Sequence, residues 1–280
     1  MKKKLIILTG PTAVGKTDLS IRLARTVGGE IISADSMQVY RRMDIGTAKI
    51  RPEEMDGVRH HLIDILEPTE SFNAFLFKEY ALKAANEIWE RGSIPIIVGG
   101  TGFYIQTLLY DIEFAKSDEN DGIRDELNKL YEEHGAAFLH DMLAKVDPEY
   151  AAEVHENNVK KVIRAIEFYR QTGHKLSEHN TEQRERTSPY NFEYFVLSDD
   201  RTVLYERIDK RIDGMVEAGL IAEVQALLDE GVDRESVAMQ GLGYKEIASY
   251  LAGEISLDEA IYILKRDTRH FAKRQLTWFR

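Results

Sequence analysis

Residues 10–17 read Gly-Pro-Thr-Ala-Val-Gly-Lys-Thr, and this stretch decides the fold. It fits the phosphate-loop pattern G-x-x-x-x-G-K-[ST] at every fixed position, with an apolar run (Leu5–Thr9) before it and an amphipathic stretch (Lys16–Val27) after it. Backbone N–H groups and a helix N-terminus in such a loop bind anions, and a lysine adds a mobile positive charge. We therefore expect a di- or triphosphate to be bound by Gly10, Pro11, Thr12, Ala13, Val14, Gly15, Lys16 and Thr17. The Thr17 hydroxyl is the expected contact for a Mg²⁺ ion on those phosphates.

Strands and helices alternate in the first hundred residues. The predicted strands are Leu5–Thr9, Glu30–Ala34, His61–Leu66 and Ile94–Val98, and the predicted helices are Lys16–Val27 and Phe72–Arg91. Such alternation indicates a parallel sheet with right-handed crossovers. We predict an α/β fold, a P-loop parallel-sheet core with helices on both faces.

The pattern changes after this region. Residues 111–186 have helical periodicity, many charges and no clear strand. A returning strand is predicted at Glu193–Leu197, followed by helices over Arg201–Glu230, Tyr244–Leu251 and Leu257–Phe279. These features predict a catalytic core of residues 1–110 plus 189–280, interrupted by an inserted helical subdomain at residues 111–188.

Composition excludes several classes of protein. The 280 residues are 43% hydrophobic and 30% charged, as in a globular protein with a core. Cysteine is absent, which excludes a disulfide scaffold, a thiolate metal site and a cysteine nucleophile. No apolar run approaches the ~20 residues that span a bilayer, and Leu5–Leu8 is too short for a signal-peptide core. We expect a cytoplasmic protein without a membrane partner.

Charge is distributed unevenly. The net charge of 37 − 48 = −11 argues against indiscriminate nucleic-acid binding. Residues 111–160 contain 14 acids and 5 bases, whereas residues 265–280 contain six bases and one acid, with three aromatic residues among them. A chain that separates its charge in this way can still hold a polyanion locally.

The phosphate loop alone does not define a reaction. No Asn-Lys-x-Asp guanine-reading motif occurs, and the two candidates for a Walker-B aspartate, Asp64 and Asp199, follow short apolar runs. Asp35 is different, because it falls at the carboxyl end of the second predicted strand, beside the phosphate loop. Ligands bind at that edge of a parallel sheet, so Asp35 could act as a general base or a metal ligand.

The residues around Asp35 resemble a known signature. Residues 35–40 (Asp-Ser-Met-Gln-Val-Tyr) are similar to the Asp-Ser-x-Gln-x-Tyr motif of the tRNA dimethylallyltransferases, also called tRNA isopentenyltransferases. Further similar blocks follow in family order: Gly46–Lys49, Val98–Tyr104, Arg207–Arg211, Gln240–Glu246 and Thr268–Arg280. The chain departs from the family pattern at Ile50, at Asn158 and at Lys161, and it ends at Arg280, where relatives usually continue with a short tail.

The resemblance implies a reaction. The family transfers a dimethylallyl group from dimethylallyl pyrophosphate to the exocyclic amine of the adenine just 3′ of the anticodon. Its substrates are tRNAs that read codons beginning with U, and pyrophosphate leaves. Asp35 is then the implied base for the amine proton, and Thr101, Lys16 and Arg211 the implied catalytic partners. Arg207 and Arg211 are implied to contact the pyrophosphate together with the loop.

The resemblance also implies partners. They are the tRNA anticodon stem-loop, dimethylallyl pyrophosphate and Mg²⁺, with the protein acting as a monomer. The implied tRNA contacts are Asp35, Ser36, Met37, Gln38, Thr101, Lys160, Lys161, Arg164, Gln240, Gly243, Tyr244, Lys245, Lys273 and Arg274. Position 161 is lysine, with a compact ammonium charge, where the family has arginine, whose planar guanidinium can donate two parallel hydrogen bonds. RNA contacts at this position would therefore differ.

Two other functions remain open from the residues. A small-molecule P-loop kinase would share the phosphate loop, the aspartate at the end of a strand and arginines on a helix late in the chain. Such a kinase would not need the basic, aromatic C-terminal segment. A non-catalytic, nucleotide-gated RNA-binding module would need the loop and the basic patches, but neither Asp35 nor Thr101.

Overall fold

The computed structural model describes residues 2–114 and 122–280 and contains a five-stranded parallel sheet. The strands are β1 (Lys4–Thr9), β2 (Gly29–Ala34), β3 (His60–His61), β4 (Ile94–Gly99) and β5 (Asn191–Val196). Their order is β3-β2-β4-β1-β5, and every neighbouring pair is parallel. Ile7, Ile32 and Ile97 in the three central strands are fully buried, as expected for a sheet that is covered on both faces.

The described residues also form eleven α-helices. They are α1 (Lys16–Val27), α2 (Ala74–Glu90), α3 (Gly102–Leu109), α4 (Ile123–Val146), α5 (Pro148–Glu153), α6 (Val159–Thr172), α7 (Leu176–Arg184), α8 (Arg201–Glu217), α9 (Leu220–Asp229), α10 (Tyr244–Leu251) and α11 (Leu257–Trp278). The chain crosses the sheet in one direction through α1 and in the other through α2, so right-handed crossovers place these helices on opposite faces. The predicted P-loop α/β fold is confirmed. Across residues 2–114 and 122–280, no helix combines the length and the apolarity needed to cross a membrane.

The chain forms two compact units. One, the sheet unit, contains Met1–Leu109 and Pro189–Arg280. The other, the helical unit, contains Tyr110–Ser188. The second unit has its own apolar core, which includes Leu127, Leu139 and Val162. A buried carboxylate joins two of its helices, because Asp147 accepts hydrogen bonds from the Ser177 hydroxyl (2.7 Å) and backbone N–H (2.9 Å). Part of the predicted insertion, residues 115–121, lies outside the described residues.

The structure corrects two predicted elements. The predicted strand His61–Leu66 is wrong, since only His60–His61 joins the sheet. Leu62 and Asp64 have positive φ angles of 63° and 54°, which are incompatible with extended backbone. The predicted helix Arg201–Glu230 is two helices, because Gly219 adopts a φ of 106° between α8 and α9. A short helix that the sequence analysis did not predict, α3, follows the turn after β4.

Candidate active site

The phosphate loop, Asp35 and Thr101 lie side by side at the carboxyl edge of the sheet. Thr9, Gly99 and Ala34 occupy one row across β1, β4 and β2. The residues that follow this row are the start of the phosphate loop, the turn that leads to Thr101, and Asp35. The Thr101 N–H donates to the Ala34 carbonyl (3.4 Å), so the backbones on both sides of Asp35 and Thr101 are tied together.

The phosphate loop turns sharply before α1. Ala13 and Gly15 have φ angles of 64° and 91°, and Gly15 is the residue that precedes the helix. The Lys16 ammonium folds back over the loop and donates to the carbonyls of Gly10 (3.0 Å) and Pro11 (2.7 Å). Thr17 is exposed at the first turn of α1. A phosphate at this N-terminus would meet the helix dipole and the Lys16 charge together.

Three of the predicted catalytic residues interact electrostatically. Burial lowers the pKa of Lys16 to about 8, while Asp35 opposes this shift and Arg211 adds to it. Loss of hydration also lowers the pKa of Arg211, and Asp35 again acts in the opposite direction. The site therefore contains two cations, Lys16 on α1 and Arg211 on α8. The Asp35 carboxylate interacts with both. An added diphosphate would relieve the repulsion between the cations.

Asp35 is held by the chain that follows it. Its Oδ1 accepts the backbone N–H of Met37 (2.8 Å) and of Gln38 (3.3 Å), and its side chain is half-buried. In the described part of the chain, no donor is hydrogen-bonded to Oδ2. One carboxylate oxygen is thus fixed by the backbone, and the other is left to accept a proton.

The side chains of the Ser36–Gln38 segment have different surroundings. The Gln38 amide donates from Nε2 to the Thr47 carbonyl (3.3 Å) and accepts from the Ser33 hydroxyl (3.2 Å). Gln38 is one of the tRNA contacts implied by the resemblance, but in this arrangement its amide is bonded within the protein. Ser36 and Met37 are half-buried beside it.

The two predicted arginines of α8 differ in their partners. Arg207 pairs with Asp199 at 2.9 Å, and both side chains are partly exposed. Asp199 and Asp64, the two Walker-B candidates, are each engaged by a cation of the protein, since Asp64 accepts from the Lys49 ammonium at 2.6 Å. Of these two arginines, Arg211 is the one whose charge acts on Asp35 and Lys16, although its side chain is exposed.

Sequence analysis missed Gln275 of α11. Its Oε1 accepts the Thr12 N–H of the phosphate loop (2.8 Å), and its Nε2 donates to the Gly100 carbonyl (3.0 Å). The side chain is 5% exposed. A Cβ atom on Gly100 would lie 2.1 Å from this Nε2, so residue 100 must be glycine for the contact to form. Gln275 lies inside the Thr268–Arg280 block, but no local pattern indicates that this one side chain turns inward.

The four predicted tRNA contacts in this region, Gln240, Gly243, Tyr244 and Lys245, have partners or neighbours within the protein. Tyr244 is 1% exposed, and its hydroxyl donates to Glu223 (2.6 Å). Gly243 is buried next to it, Lys245 is half-buried near Asp267 (3.9 Å), and the Gln240 amide donates to the Arg234 carbonyl (2.9 Å). The buried Tyr244 phenol is thus bonded within the protein, and contact of these four residues with tRNA stays a prediction.

The remaining basic candidates are exposed. Lys160, Lys161 and Arg164 lie on the outer side of α6 in the helical unit, and Lys273 and Arg274 lie near the end of α11 in the sheet unit. None of the five forms an ion pair with any residue in the described ranges. The Arg274 guanidinium lies 5.8 Å from the centre of the Phe271 ring. Such free charges on helices are suited to phosphate contacts.

The phosphate loop between β1 and α1 and the aspartate at the end of β2 place this chain in the class of P-loop proteins. Residues 38–280 match the model of the IPP transferase family, and the chain belongs to that family. The phosphate loop precedes this matched region.

Named relatives cover nearly the whole chain. A tRNA dimethylallyltransferase of Lachnoclostridium phytofermentans is 60% identical over 276 residues, which are 99% of this chain and 88% of that relative. The crystal structure of a full-length tRNA isopentenylpyrophosphate transferase from Bacillus halodurans is 48% identical, with a TM-score of 0.73 over 99% of this chain and 87% of that one. A eukaryotic dimethylallyltransferase acting on tRNA is 34% identical, with a TM-score of 0.88 over 99% of this chain and 70% of that one.

Proposed function

We propose that this protein transfers a dimethylallyl group from dimethylallyl pyrophosphate to the exocyclic amine of the adenine 3′-adjacent to the anticodon, in tRNAs that read codons beginning with U. The observation that carries the proposal is the grouping of Lys16, Arg211 and Asp35 at the phosphate loop. Relatives at 60% and 52% identity are named tRNA dimethylallyltransferases, which supports the same reaction.

The chemistry needs a site that accepts a leaving diphosphate. The allyl C–O bond breaks and its electron pair leaves with pyrophosphate, while the adenine amine supplies the pair for the new C–N bond. Negative charge grows on the departing oxygens, so the loop N–H groups, Lys16 and Arg211 stabilise the transition state more than the ground state. We propose that Thr101, whose backbone N–H donates to the Ala34 carbonyl at the end of β2, contacts the leaving oxygen.

The amine loses a proton during the transfer. The lone pair of the amine is delocalised into the adenine ring. The amine N–H becomes acidic only as the C–N bond forms. Oδ2 of Asp35 is the acceptor in this proposal, because Oδ1 is held by Met37 and Gln38. The backbone hydrogen bonds fix the carboxylate in place, so the base is oriented before the adenine arrives.

A Mg²⁺ ion fits the phosphate loop of this protein. Thr17 offers a hydroxyl at the exposed first turn of α1, and no group of three or more metal-binding side chains occurs among the residues described. An ion held by one hydroxyl, water and substrate phosphates is typical of Mg²⁺. When bound, it would neutralise charge on the diphosphate.

The tRNA would be held by the two exposed basic groups. Lys160, Lys161 and Arg164 of the helical unit and Lys273 and Arg274 of α11 would contact phosphates of the anticodon stem-loop. The target adenine must leave the loop stack to reach the allyl carbon. We propose that the helical unit, residues 111–188 by sequence, serves tRNA binding, and that the protein works as a cytoplasmic monomer.

One experiment tests the reaction. Unmodified tRNA is incubated with labelled dimethylallyl pyrophosphate and Mg²⁺, without ATP, and the nucleosides are analysed after digestion. We expect one labelled adenosine per tRNA and release of pyrophosphate, and we expect Lys16→Ala to abolish both. ATP alone should give no γ-phosphate release above background. An obligatory need for ATP, or transfer of its γ-phosphate to a small molecule, would establish the kinase alternative instead.

A further inference from the structure

The carboxylate of Glu223 in α9 binds a distant backbone segment. Its Oε2 accepts the N–H groups of Asp44 (2.9 Å) and Ile45 (2.8 Å), and its Oε1 accepts the N–H of Gly46 (3.1 Å). The Tyr244 hydroxyl donates a fourth hydrogen bond to Oε1 (2.6 Å). Four donors on one carboxylate, 177–179 residues away in sequence for the backbone groups, make a specific clamp.

The surroundings of this clamp are closely fitted. A Cβ atom on Gly46 would lie 2.6 Å from the Tyr244 ring, so only glycine fits beneath the ring. Burial raises the pKa of the Tyr244 phenol, and the Glu223 charge raises it further, so Tyr244 remains protonated and continues to donate. Lys49 is 4% exposed in its side chain and donates to the Tyr40 carbonyl (2.7 Å) and to Asp44 (2.6 Å).

The clamp is connected to Asp35 through successive hydrogen bonds. Directly after Gly46, the Thr47 carbonyl accepts from the Gln38 amide at 3.3 Å. The Gln38 backbone N–H in turn donates to Asp35 Oδ1 at 3.3 Å. The segment that Glu223 holds is therefore the segment that fixes Gln38 and, through it, the orientation of the proton acceptor.

From this geometry we infer that Glu223 is a positioning residue for the transfer reaction, a role that rests on the proposed function. By holding residues 44–46 it sets the place of the Ser36–Gln38 segment, against which the target adenine would lie, and leaves the diphosphate side of the site unchanged. Its loss should therefore impair use of tRNA selectively.

The test variant is Glu223→Gln, which keeps size and shape but turns an NH₂ group toward N–H donors. We expect kcat/KM for tRNA to fall roughly 10- to 100-fold, since small displacements of reacting groups have effects of this size. The KM for dimethylallyl pyrophosphate should stay within twofold. Partial unfolding would lower kcat in proportion to the folded fraction and leave both KM values unchanged, so a raised tRNA KM separates positioning from simple instability.

Two further variants complete the design. Tyr244→Phe removes one of the four donors and leaves the carboxylate in place, so we expect a smaller loss in the same parameter. Glu217→Gln is the matched control, because Glu217 is an exposed glutamate at the end of the neighbouring helix, and it should behave as the unaltered protein. Tyr244→Phe with unaltered tRNA kinetics would count against the clamp even if Glu223→Gln failed to fold.

A double-mutant cycle with Gln38→Ala provides the decisive result. If Glu223 acts through Gln38, the double variant should be at most two- to threefold worse than the more impaired single variant. The positioning role would be overturned if the fold-losses in kcat/KM of the two single variants multiplied in the double variant. It would also be overturned if Glu223→Gln had the same tRNA kinetics as Glu217→Gln. Failure of the unaltered protein to transfer the dimethylallyl group would instead refute the proposed function.

Discussion

Removal of the Gln275 bridge should destabilise the sheet unit and loosen the phosphate loop. The perturbation is Gln275→Leu, which keeps a similar volume and deletes both the hydrogen bond from Thr12 and the hydrogen bond to Gly100. The site is 5% exposed, so water cannot freely replace the lost partners. The bridge joins the phosphate loop to the turn that carries Thr101, and both should move when it is lost.

The expected magnitude follows from the number of groups left unpaired. A buried donor or acceptor without a partner costs about 1–3 kcal/mol, and here there is one of each. Thr12 is only half-buried, and the leucine gains some stability from its added apolar surface. A net loss of about 2–3 kcal/mol is expected in the free energy of unfolding, which corresponds to a fall in Tm of roughly 5–10 °C.

Tryptophan fluorescence is a suitable assay for this loss. Both tryptophans of the chain, Trp89 and Trp278, belong to the unit that contains the sheet, so urea unfolding followed by fluorescence reports on that unit. Gln225→Leu is the matched control, since Gln225 lies exposed on α9 and makes one hydrogen bond, to Asp229 (2.8 Å). The control should change the free energy of unfolding by no more than about 0.5 kcal/mol.

The same variant should also be measured in catalysis. We expect a raised KM for dimethylallyl pyrophosphate in Gln275→Leu under conditions where the protein is fully folded. If Gln275→Leu unfolds at the same urea concentration as Gln225→Leu and its donor KM is unchanged, the bridge does not hold the loop and the reasoning is refuted.

Three further predictions concern the charged groups of the site. Asp35→Asn cannot accept a proton, so the rate should fall ~10²–10⁴-fold with tRNA affinity within a few-fold of the parent; normal turnover would remove Asp35 as the base. Lys273→Ala combined with Arg274→Ala should flatten the salt dependence of tRNA binding by at most about two units of slope, and an affinity independent of salt in the unaltered protein would contradict phosphate contact. Because the lowered pKa of Lys16, about 8, means that its charge is lost above that pH, kcat/KM for the donor should fall as pH rises through 8. Lys16→Arg stays charged and should lack this alkaline limb, and the same limb in both proteins would assign it to another group.

The sequence determined the sheet through local signals. The phosphate-loop pattern, the apolar runs and the glycine turns identify β1, β2 and β4, and their alternation with helices predicts that they are parallel. The strand order was not predicted, because handedness does not place β4 between β1 and β2. The errors occur where the local signal is misleading. Residues 61–66 are apolar enough for a strand, but Leu62 and Asp64 have positive φ angles. The N–H groups of Asp64, Ile65 and Leu66 donate instead to the carbonyls of the distant Gln38 and Val39.

The active-site framework was harder to predict because its contacts are remote in sequence. Asp35 and Lys16 are identifiable because they follow strands that end at one edge of the sheet. Gln275 contacts Thr12 across 263 residues, and Glu223 contacts Asp44 across 179. No periodicity or spacing reports such a pair. Gly100 is a conspicuous glycine in the sequence, but the reason for it, a side chain from α11, becomes visible only in the folded chain.

Several bases of the C-terminal basic segment are paired with acids in the folded chain, so the number of bases overstates the charge available to a ligand. Six bases and one acid in residues 265–280 suggest a strong anion-binding surface. In the structure, Lys265 pairs with Asp213 (2.5 Å) and Arg269 with Asp209 (2.7 Å), so two of the bases are used to hold α11 against α8. A third, Arg266, pairs with its neighbour Asp267 (2.8 Å). Of the three bases left for a polyanion, Arg280 follows the end of α11, and Lys273 and Arg274 lie within the last turns of that helix. These two follow the paired bases on the same helix that places Gln275 against the phosphate loop, so one helix supplies both the proposed phosphate contacts and the support of the loop.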